Sequence, residues 1–253
     1  MLVAERYERI VRLVNERGSI RVNELSELCG VTEETIRRDL TRLELEGKLR
    51  RSHGGAVSVR TAAEIPHAQR EIMNMDEKRQ IAQYAVQYIA PRERIILDAS
   101  STAWYMAALI PDIPLTVLTN SMKVAQELSV KEKIEVIAVG GLLSPASLSF
   151  VGPLAERSLE PYFVDKAFLS CKGLHLDKGL SESNEAQARV KQKMIEQAGQ
   201  VILLADSSKI GVQAFTKVSD WEAIHRLVTD QNAPDGFVSG LRELGVDVVQ
   251  IDG

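Results

Sequence analysis

Hydroxyls, glycines and lysines recur in this chain wherever a short apolar, β-branched run gives way to a helical pattern. The first such place is 95-IILDASSTAWYMAALI-110, where the run stops at Asp98 and Ser100, Ser101 and Thr102 crowd a turn before the helix. Four more junctions follow the plan: Thr119-Asn120-Ser121, Gly140-Gly141-Leu142, Cys171-Lys172-Gly173 and Asp206-Ser207-Ser208-Lys209. Each has an ordinary structural use, because Ser and Thr cap helices and Gly makes turns. Together they describe a ligand. The first turn of a helix leaves backbone N–H groups without partners, and those groups beside hydroxyls hold phosphate. Asp98 adds an acceptor for sugar hydroxyls, and Lys172 or Lys209 adds a compact positive charge. The ligand that fits is small, polyhydroxylated and phosphorylated. A dinucleotide fits less well, since no G-x-G-x-x-G follows a strand candidate and no Walker motif occurs. Glu185, Arg189 and Lys191 admit two readings. Asn184 with Gln187 forms a capping box, and Glu185 with Arg189 an i,i+4 pair, so this helix either only stabilises itself or turns Glu185 and Lys191 toward the ligand.

The elements that must place these residues alternate. Strand candidates are 94–98, 115–119, 134–139, 165–170, 200–205, 225–229 and 246–251, with helical patterns at 102–110, 121–130, 152–160, 184–198 and 234–244. Such alternation predicts a mostly parallel α/β sheet covered on both faces, in which ligands bind outside the carboxyl ends of the strands. The five junctions all lie at that rim. A helix over DEKRQIAQYAVQYIA, from Asp76 to before Pro91, precedes the first strand, and residues 60–75, which contain Pro66, read as a linker.

The N-terminal 58 residues are organised differently. Tyr7, Ile10, Val11 and Val14 form one apolar helix stripe ended by Gly18. Ser19–Arg21 can add an edge strand, and Asn23 can cap a second helix, NELSELCG. Thr32 is the expected cap of a third helix running to about Glu46, with Ile36, Leu40 and Leu43 inward. KLRRSHGGAVSV reads as a hairpin turning at Gly54-Gly55. Three short helices and a hairpin make a winged helix-turn-helix plan. On the outward face of helix three lie Glu34, Arg38 and Thr41, flanked by Thr35, Arg37 and Arg42. Arg supplies a bidentate fork for guanine, and Thr supplies hydroxyl or methyl contacts. The bland alternative is a solvated face whose arginines pair with acids such as Asp39. Arg50, Arg51 and His53 in the hairpin favour the functional reading, since they put basic groups where a wing meets the phosphate backbone.

Whole-chain composition agrees. Residues 1–60 hold 12 Lys/Arg against 10 Asp/Glu, the remainder 19 against 25, and residues 35–60 hold seven basic to three acidic. The basic excess sits where a polyanion would be touched. Cys29 and Cys171 are far apart and the four histidines show no ligand spacing, so no metal site, disulfide framework or cofactor is expected. The longest apolar run falls well short of the roughly 20 residues a membrane span needs. The N-terminus lacks a signal-peptide core, so a cytoplasmic location is expected.

Residues 32–56, TEETIRRDLTRLELEGKLRRSHGGA, resemble the signature of DeoR-type bacterial transcription regulators: T-I-R-R-D-L, then L-x-x-x-G, then R-x-H-G-G-A, with Thr32 where Ser is common. LDASST, LTNS, VGG, 166-KAFLSCKGLHLDKGLSESNEAQARVKQKMI-195 and ADSSKIG resemble the successive motifs of that family's sensor domain. The resemblance implies a winged helix-turn-helix domain at 1–58, a linker at 59–75, and at 76–253 a sensor resembling phosphosugar isomerases and CoA-transferases in fold. It implies a repressor of sugar catabolism, dimeric or tetrameric, whose hold on double-stranded operator DNA responds to a phosphorylated sugar. DNA would be met by Thr32, Glu34, Thr35, Arg37, Arg38, Thr41, Arg42, Arg51 and His53. The effector would be met by Asp98, Ser100, Ser101, Thr102, Thr119, Asn120, Ser121, Gly140, Gly141, Lys172, Gly173, Glu185, Lys191, Asp206 and Lys209. One departure is Ser100, where many members carry Gly in D-x-G-T-T, so a Cβ and a hydroxyl enter the turn. Two other readings stand beside this one. A phosphosugar isomerase with an appended DNA domain would need a general base, for which Asp98, Glu182 or Asp206 could serve. A general nucleic-acid binder without ligand control would leave the larger domain unexplained.

Overall fold

A computed structural model describes residues 2–17, 19–52, 54–58 and 65–251, and the chain divides into two compact units, Met1–Ala63 and Glu64–Gly253. His53, expected at the DNA, lies outside the described residues.

In the first unit the order is α1 (Val3–Arg17), β1 (Ser19–Arg21), α2 (Val22–Cys29), α3 (Glu33–Leu45), β2 (Leu49–Ser52) and β3 (Gly55–Ser58). The strands form one small antiparallel sheet in the order β1-β3-β2. Ile10, Val14, Leu25, Ile36, Leu40 and Leu43 are its core, the residues that helical spacing singles out. Gly30, at φ 65°, makes the left-handed turn that ends α2, a conformation most side chains avoid. Thr32 caps α3, accepting from the Thr35 amide at 3.3 Å. Asn23 does not cap α2; the helix begins one residue before it, and its carbonyl accepts from the Ser26 hydroxyl.

The second unit continues with α4 (His67–Ile72), α5 (Met75–Ala85), β4 (Arg94–Leu97), α6 (Ser101–Leu109), β5 (Leu115–Thr119), α7 (Met122–Leu128), β6 (Ile134–Ala138), β7 (Leu142–Ser144), β8 (Ser149–Val151) and α8 (Pro153–Leu159). It ends with β9 (Val164–Leu169), β10 (Gly173–His175), β11 (Gly179–Glu182), α9 (Glu185–Glu196), β12 (Ala198–Leu204), β13 (Thr216–Ser219), β14 (Arg226–Asp230), α10 (Asp235–Glu243) and β15 (Asp247–Ile251). Seven strands form one sheet in the order β15-β14-β12-β9-β4-β5-β6, every pair in it parallel. Alternation along β4 explains the two cores. Ile95 and Leu97 join Ile81, Ala103 and Met106 on one face, while Ile96 joins Ala155, Leu169 and Met194 on the other.

The chain runs from β4 outward to β6, then returns to place β9 on the other side of β4 and proceeds to β15. The order therefore reverses between β4 and β9, and such a switch point opens a crevice at the strands' carboxyl ends. Two pieces lie outside the alternating pattern: the β7–β8 hairpin and the antiparallel sheet β10-β11-β13. Part of the stretch read as linker, His67–Ile72, is helical, capped by no side chain and packed near α6 through the Tyr105 hydroxyl, which donates to the Glu71 carbonyl at 2.9 Å.

Candidate functional site

On α3 the expected DNA-facing residues point to solvent, and each arginine is held by an acid on the same helix or at its C-cap. Arg37 pairs with Glu33 at 2.5 Å, Arg38 with Glu34 at 3.4 Å and Arg42 with Glu46 at 2.9 Å. Exposed i,i+4 pairs of this kind are worth only about 0.3–0.5 kcal/mol, so exchanging them for phosphate or base contacts costs little. Arg38 is the most open of the three, its side chain 79% exposed. Asp39 does not pair with the outward arginines. It is buried and takes a two-bond contact from Arg6, Nε to Oδ2 at 2.6 Å and Nη2 to Oδ1 at 3.2 Å, which pins α1 to α3. The hydroxyls of Thr32 and Thr35 lie 2.9 Å apart at the helix cap. Arg51 is bonded to α3: its Nη1 donates to the Thr41 hydroxyl at 2.8 Å, and that hydroxyl donates to the Arg37 carbonyl at 2.9 Å. The hairpin and the outward face of α3 thus form one basic surface.

In the sensor unit a cleft opens at the switch point. From the expected residues it draws Ser100, Ser101, Thr102, Lys172, Lys191 and Lys209. Ser100 takes an ordinary extended backbone, φ −81° and ψ 154°, and its hydroxyl accepts from the Ala103 amide at 3.0 Å. Its Cβ is therefore unstrained and its oxygen is turned back as the cap of α6. Among the described residues the amides of Ser101 and Thr102 have no partner, which leaves the positive end of α6 facing the cleft.

Asp98 stands behind this turn rather than in the cleft. It is 1% exposed and accepts from the amides of Ser100 and Ser170, both at 3.0 Å, and from Lys191 at 2.8 Å. Lys191 also meets Glu182 at 2.8 Å and donates to the Ser170 carbonyl. Burial would lower the Lys191 pKa, but the carboxylates of Asp98 and Glu182 outweigh it and raise the value. This triad, with Ser170, fixes the ends of β4, β9 and β11 to α9 at the cleft floor. Asp206 is likewise a support, accepting from the Ser208 amide and hydroxyl and from Asn74 and so shaping the turn that carries Lys209.

The other expected effector residues do not line the cleft. Thr119 accepts from the Ser121 amide at 3.0 Å, Ser121 caps α7 by accepting from Val124, and Asn120 donates to the Phe150 carbonyl at 3.0 Å. Their polar atoms are used in turning the chain after β5, although Asn120 keeps one buried oxygen without a hydrogen bond. Gly140 leads into Gly141, which has φ 150°, and a Cβ on Gly141 would come within 2.8 Å of the Val151 carbonyl. At Gly173 a Cβ would come within 2.4 Å of the Val212 carbonyl, so these glycines serve close backbone approach. Glu185 is exposed on α9 and bonded to Arg189 at 2.9 Å, the helix-stabilising alternative.

Sequence reasoning missed one wall. Arg70, Asn74 and Lys78 line the cleft from the segment around α4, together with Ile65 and Met73. No periodicity marks 65–75, so nothing in its pattern separates a wall from a linker. Burial lowers the Lys78 pKa to about 8, helped by the charge of Lys209, and Lys172 is lowered by the same two causes. Cys171 also lines the cleft, its thiol pushed up to about 12 by burial and so uncharged.

Comparison with known proteins adds two family matches: a DeoR-like helix-turn-helix domain over residues 6–62 and a DeoR C terminal sensor domain over residues 73–231. The chain is 56% identical over 99% of its length, and 98% of the relative's, to an uncharacterized HTH-type transcriptional regulator, YulB, of Bacillus subtilis strain 168. It is 36% identical to a putative aga operon transcriptional repressor of Escherichia coli O157:H7, covering 98% of this chain and 94% of that one. It is 40% identical to an L-fucose operon activator of Haemophilus influenzae, covering 92% and 94%.

Proposed function

The chain belongs to the DeoR family of transcriptional regulators, and from that premise we propose that it represses a sugar-catabolism operon and that a phosphorylated sugar in the switch-point cleft governs its hold on operator DNA. The observation that carries the effector's chemistry is the charge balance of the cleft. Arg70, Lys78, Lys172, Lys191 and Lys209 line it, while the carboxylates at hand are Glu182 in the lining and Asp98 and Asp206 behind it. Among the described residues Lys172 and Lys209 have no carboxylate ion-pair partner, and a phosphate monoester, which carries about −1.5 to −2 at pH 7, would supply one to both. Three lysines that repel one another in a half-buried cleft are costly when it is empty, and a dianion removes that cost.

A receptor accounts for the carboxylates better than a reaction centre does. Asp98 and Glu182 are both occupied by Lys191, and Asp206 by Ser208 and Asn74, so each candidate base is engaged in holding the cleft together. DNA is met by the outward face of α3 with Arg51 beside it. Two half-sites multiply the affinity of one small module, so the working form is a homodimer or homotetramer.

A thermal-shift screen of the full chain against sugar phosphates tests the reading. At 100 times its dissociation constant a cognate ligand adds about 2.7 kcal/mol of stability. That gain should disappear in Ser101→Ala/Lys209→Ala, which keeps its DNA binding. Stabilisation that survives the double substitution would put the effector elsewhere, and measurable turnover of a sugar phosphate would restore the isomerase reading.

A further inference from the structure

The cleft has two walls of different origin. One is carried by the large sheet: the N-terminus of α6 after β4, Lys172 after β9 and Lys209 after β12. The other is residues 65–78, which hold α4, the turn at Asn74 and the start of α5, and supply Arg70, Asn74 and Lys78. In chain order this segment is the first that the sensor unit contributes after the DNA-reading unit.

Its apolar anchorage is thin, namely buried His67 edge-on to Trp104 at 6.3 Å and Met75 against one core, and the rest of its fastening is polar. No residue of α4 belongs to either apolar core, and Ile72 is 74% exposed. The His67 amide donates to the Ala146 carbonyl at 2.7 Å, and Glu71 meets His67 at 2.8 Å and Lys123 at 3.1 Å. Segments with few buried apolar contacts open at low free energy. Two residues tie it toward the cleft. Asn74, in the left-handed region at φ 49°, donates to Asp206 Oδ1 at 2.9 Å and Ser208 Oγ at 3.0 Å, in the turn that presents Lys209. Lys78, only 4% exposed, donates to the carbonyls of Arg70 at 2.6 Å and Met73 at 2.5 Å at the end of α4. An ammonium has three donors, so one remains for a ligand.

Lys78 on one wall and Lys172 on the other both stand in the field of Lys209, so like charges meet across the cleft and work against the Asn74 tie. An anion between them reverses the sign. We propose that the anion bound in this cleft is shared by both walls and thereby fastens residues 65–78 to the sensor core, with Lys78 the positioning residue that joins the anion to the end of α4. The proposal rests on the cleft being the effector's anion site, and it names how occupancy is passed toward the chain segment leading to the DNA reader.

Hydrogen exchange of the full-length protein tests it, with inorganic phosphate as the probe against chloride at equal ionic strength. Phosphate should slow amides in 100–106 and also in 67–78, the latter about tenfold, which is the worth of one charge-assisted hydrogen bond. In Lys78→Met, with phosphate raised until the site is again saturated, the slowing of 100–106 should persist while that of 67–78 is lost. Asn74→Gly provides a second variant, since Gly accepts the same backbone conformation without the side-chain amide; it should diminish the response of 67–78 alone. Slowing confined to 100–106 in the unsubstituted protein overturns the proposal and leaves the cleft as an anion site. No slowing in either segment overturns both.

Discussion

Lys78 shows how one residue's surroundings translate into behaviour that can be measured. It is desolvated, and Lys209 and Arg70 disfavour its charge while Asp206 and Glu77 favour it, with the net result a pKa near 8. In the free protein the ammonium is therefore half deprotonated at about pH 8. A phosphate dianion beside it favours the charged form, so binding takes up a proton wherever the free protein has lost one, and affinity falls as pH rises through that value. On the acid side the ligand's own second ionisation, at about pH 6, weakens binding as pH drops. Phosphosugar affinity should thus peak between about pH 6 and 8 and decline by up to tenfold per unit above it, by the linkage of proton and ligand. Calorimetric titration across that range checks the curve. Lys78→Arg, which keeps the charge but does not titrate there, should flatten the alkaline limb; an unaltered limb would remove Lys78 from the account. The sequence makes Ser101, Lys172 and Lys209 legible because each follows a recognisable strand. Lys78 is not legible, because on paper it is one more charged residue near the start of an amphipathic helix.

At the scale of elements, α3 and the β2–β3 hairpin act as one piece, since Arg51 is bonded to Thr41 and its amide to Glu44. Arg38, far out on α3 and only loosely paired, is free to reach a base edge, so Arg38→Ala should cost about 1–3 kcal/mol on the selected operator and relax specificity there. Arg51→Ala should weaken binding to all duplexes and reduce the salt slope by about one, the mark of a lost phosphate contact. Because it also frees the Thr41 hydroxyl, a smaller loss of discrimination should accompany it. Fluorescence anisotropy with operator and scrambled duplexes at several salt concentrations separates these effects; equal loss on both duplexes in Arg38→Ala would mean that Arg38 touches only phosphate. Why some elements were readable and others were not follows from their length and surroundings. β4, β5, β9, β12 and β14 are buried on both faces and appear as apolar runs, and α3 and α9 carry their own caps at Thr32 and Asn184. β7, β8 and β10 have three residues each, too few for a period, and their pairing is decided by tertiary neighbours. α4 has six residues and no side-chain cap, so neither its pattern nor its ends announce it.

At the scale of the molecule, the proposed regulation is a free energy shared between the DNA-reading face and the cleft. The acidic excess of residues 61–253 keeps the sensor unit from adding non-specific attraction to DNA, so the salt dependence of binding should belong to the basic face of the first unit. An effector can shift operator affinity only by as much as it prefers one conformation over the other. Linkage then requires reciprocity: if the sugar phosphate weakens operator binding by some factor, saturating operator must weaken sugar-phosphate binding by that same factor, with coupling free energies typically about 1–3 kcal/mol. The expected outcome is an equal five- to roughly hundredfold change seen from either side, measured as operator affinity with and without ligand and as ligand affinity with and without operator. Lys209→Ala should reduce ligand affinity while leaving operator affinity in the absence of ligand unchanged, because Lys209 belongs to the cleft and not to α3. A change on one side without its equal on the other would break a thermodynamic identity for a two-ligand system. It would mean that the sugar phosphate acts on DNA binding through something other than this cleft.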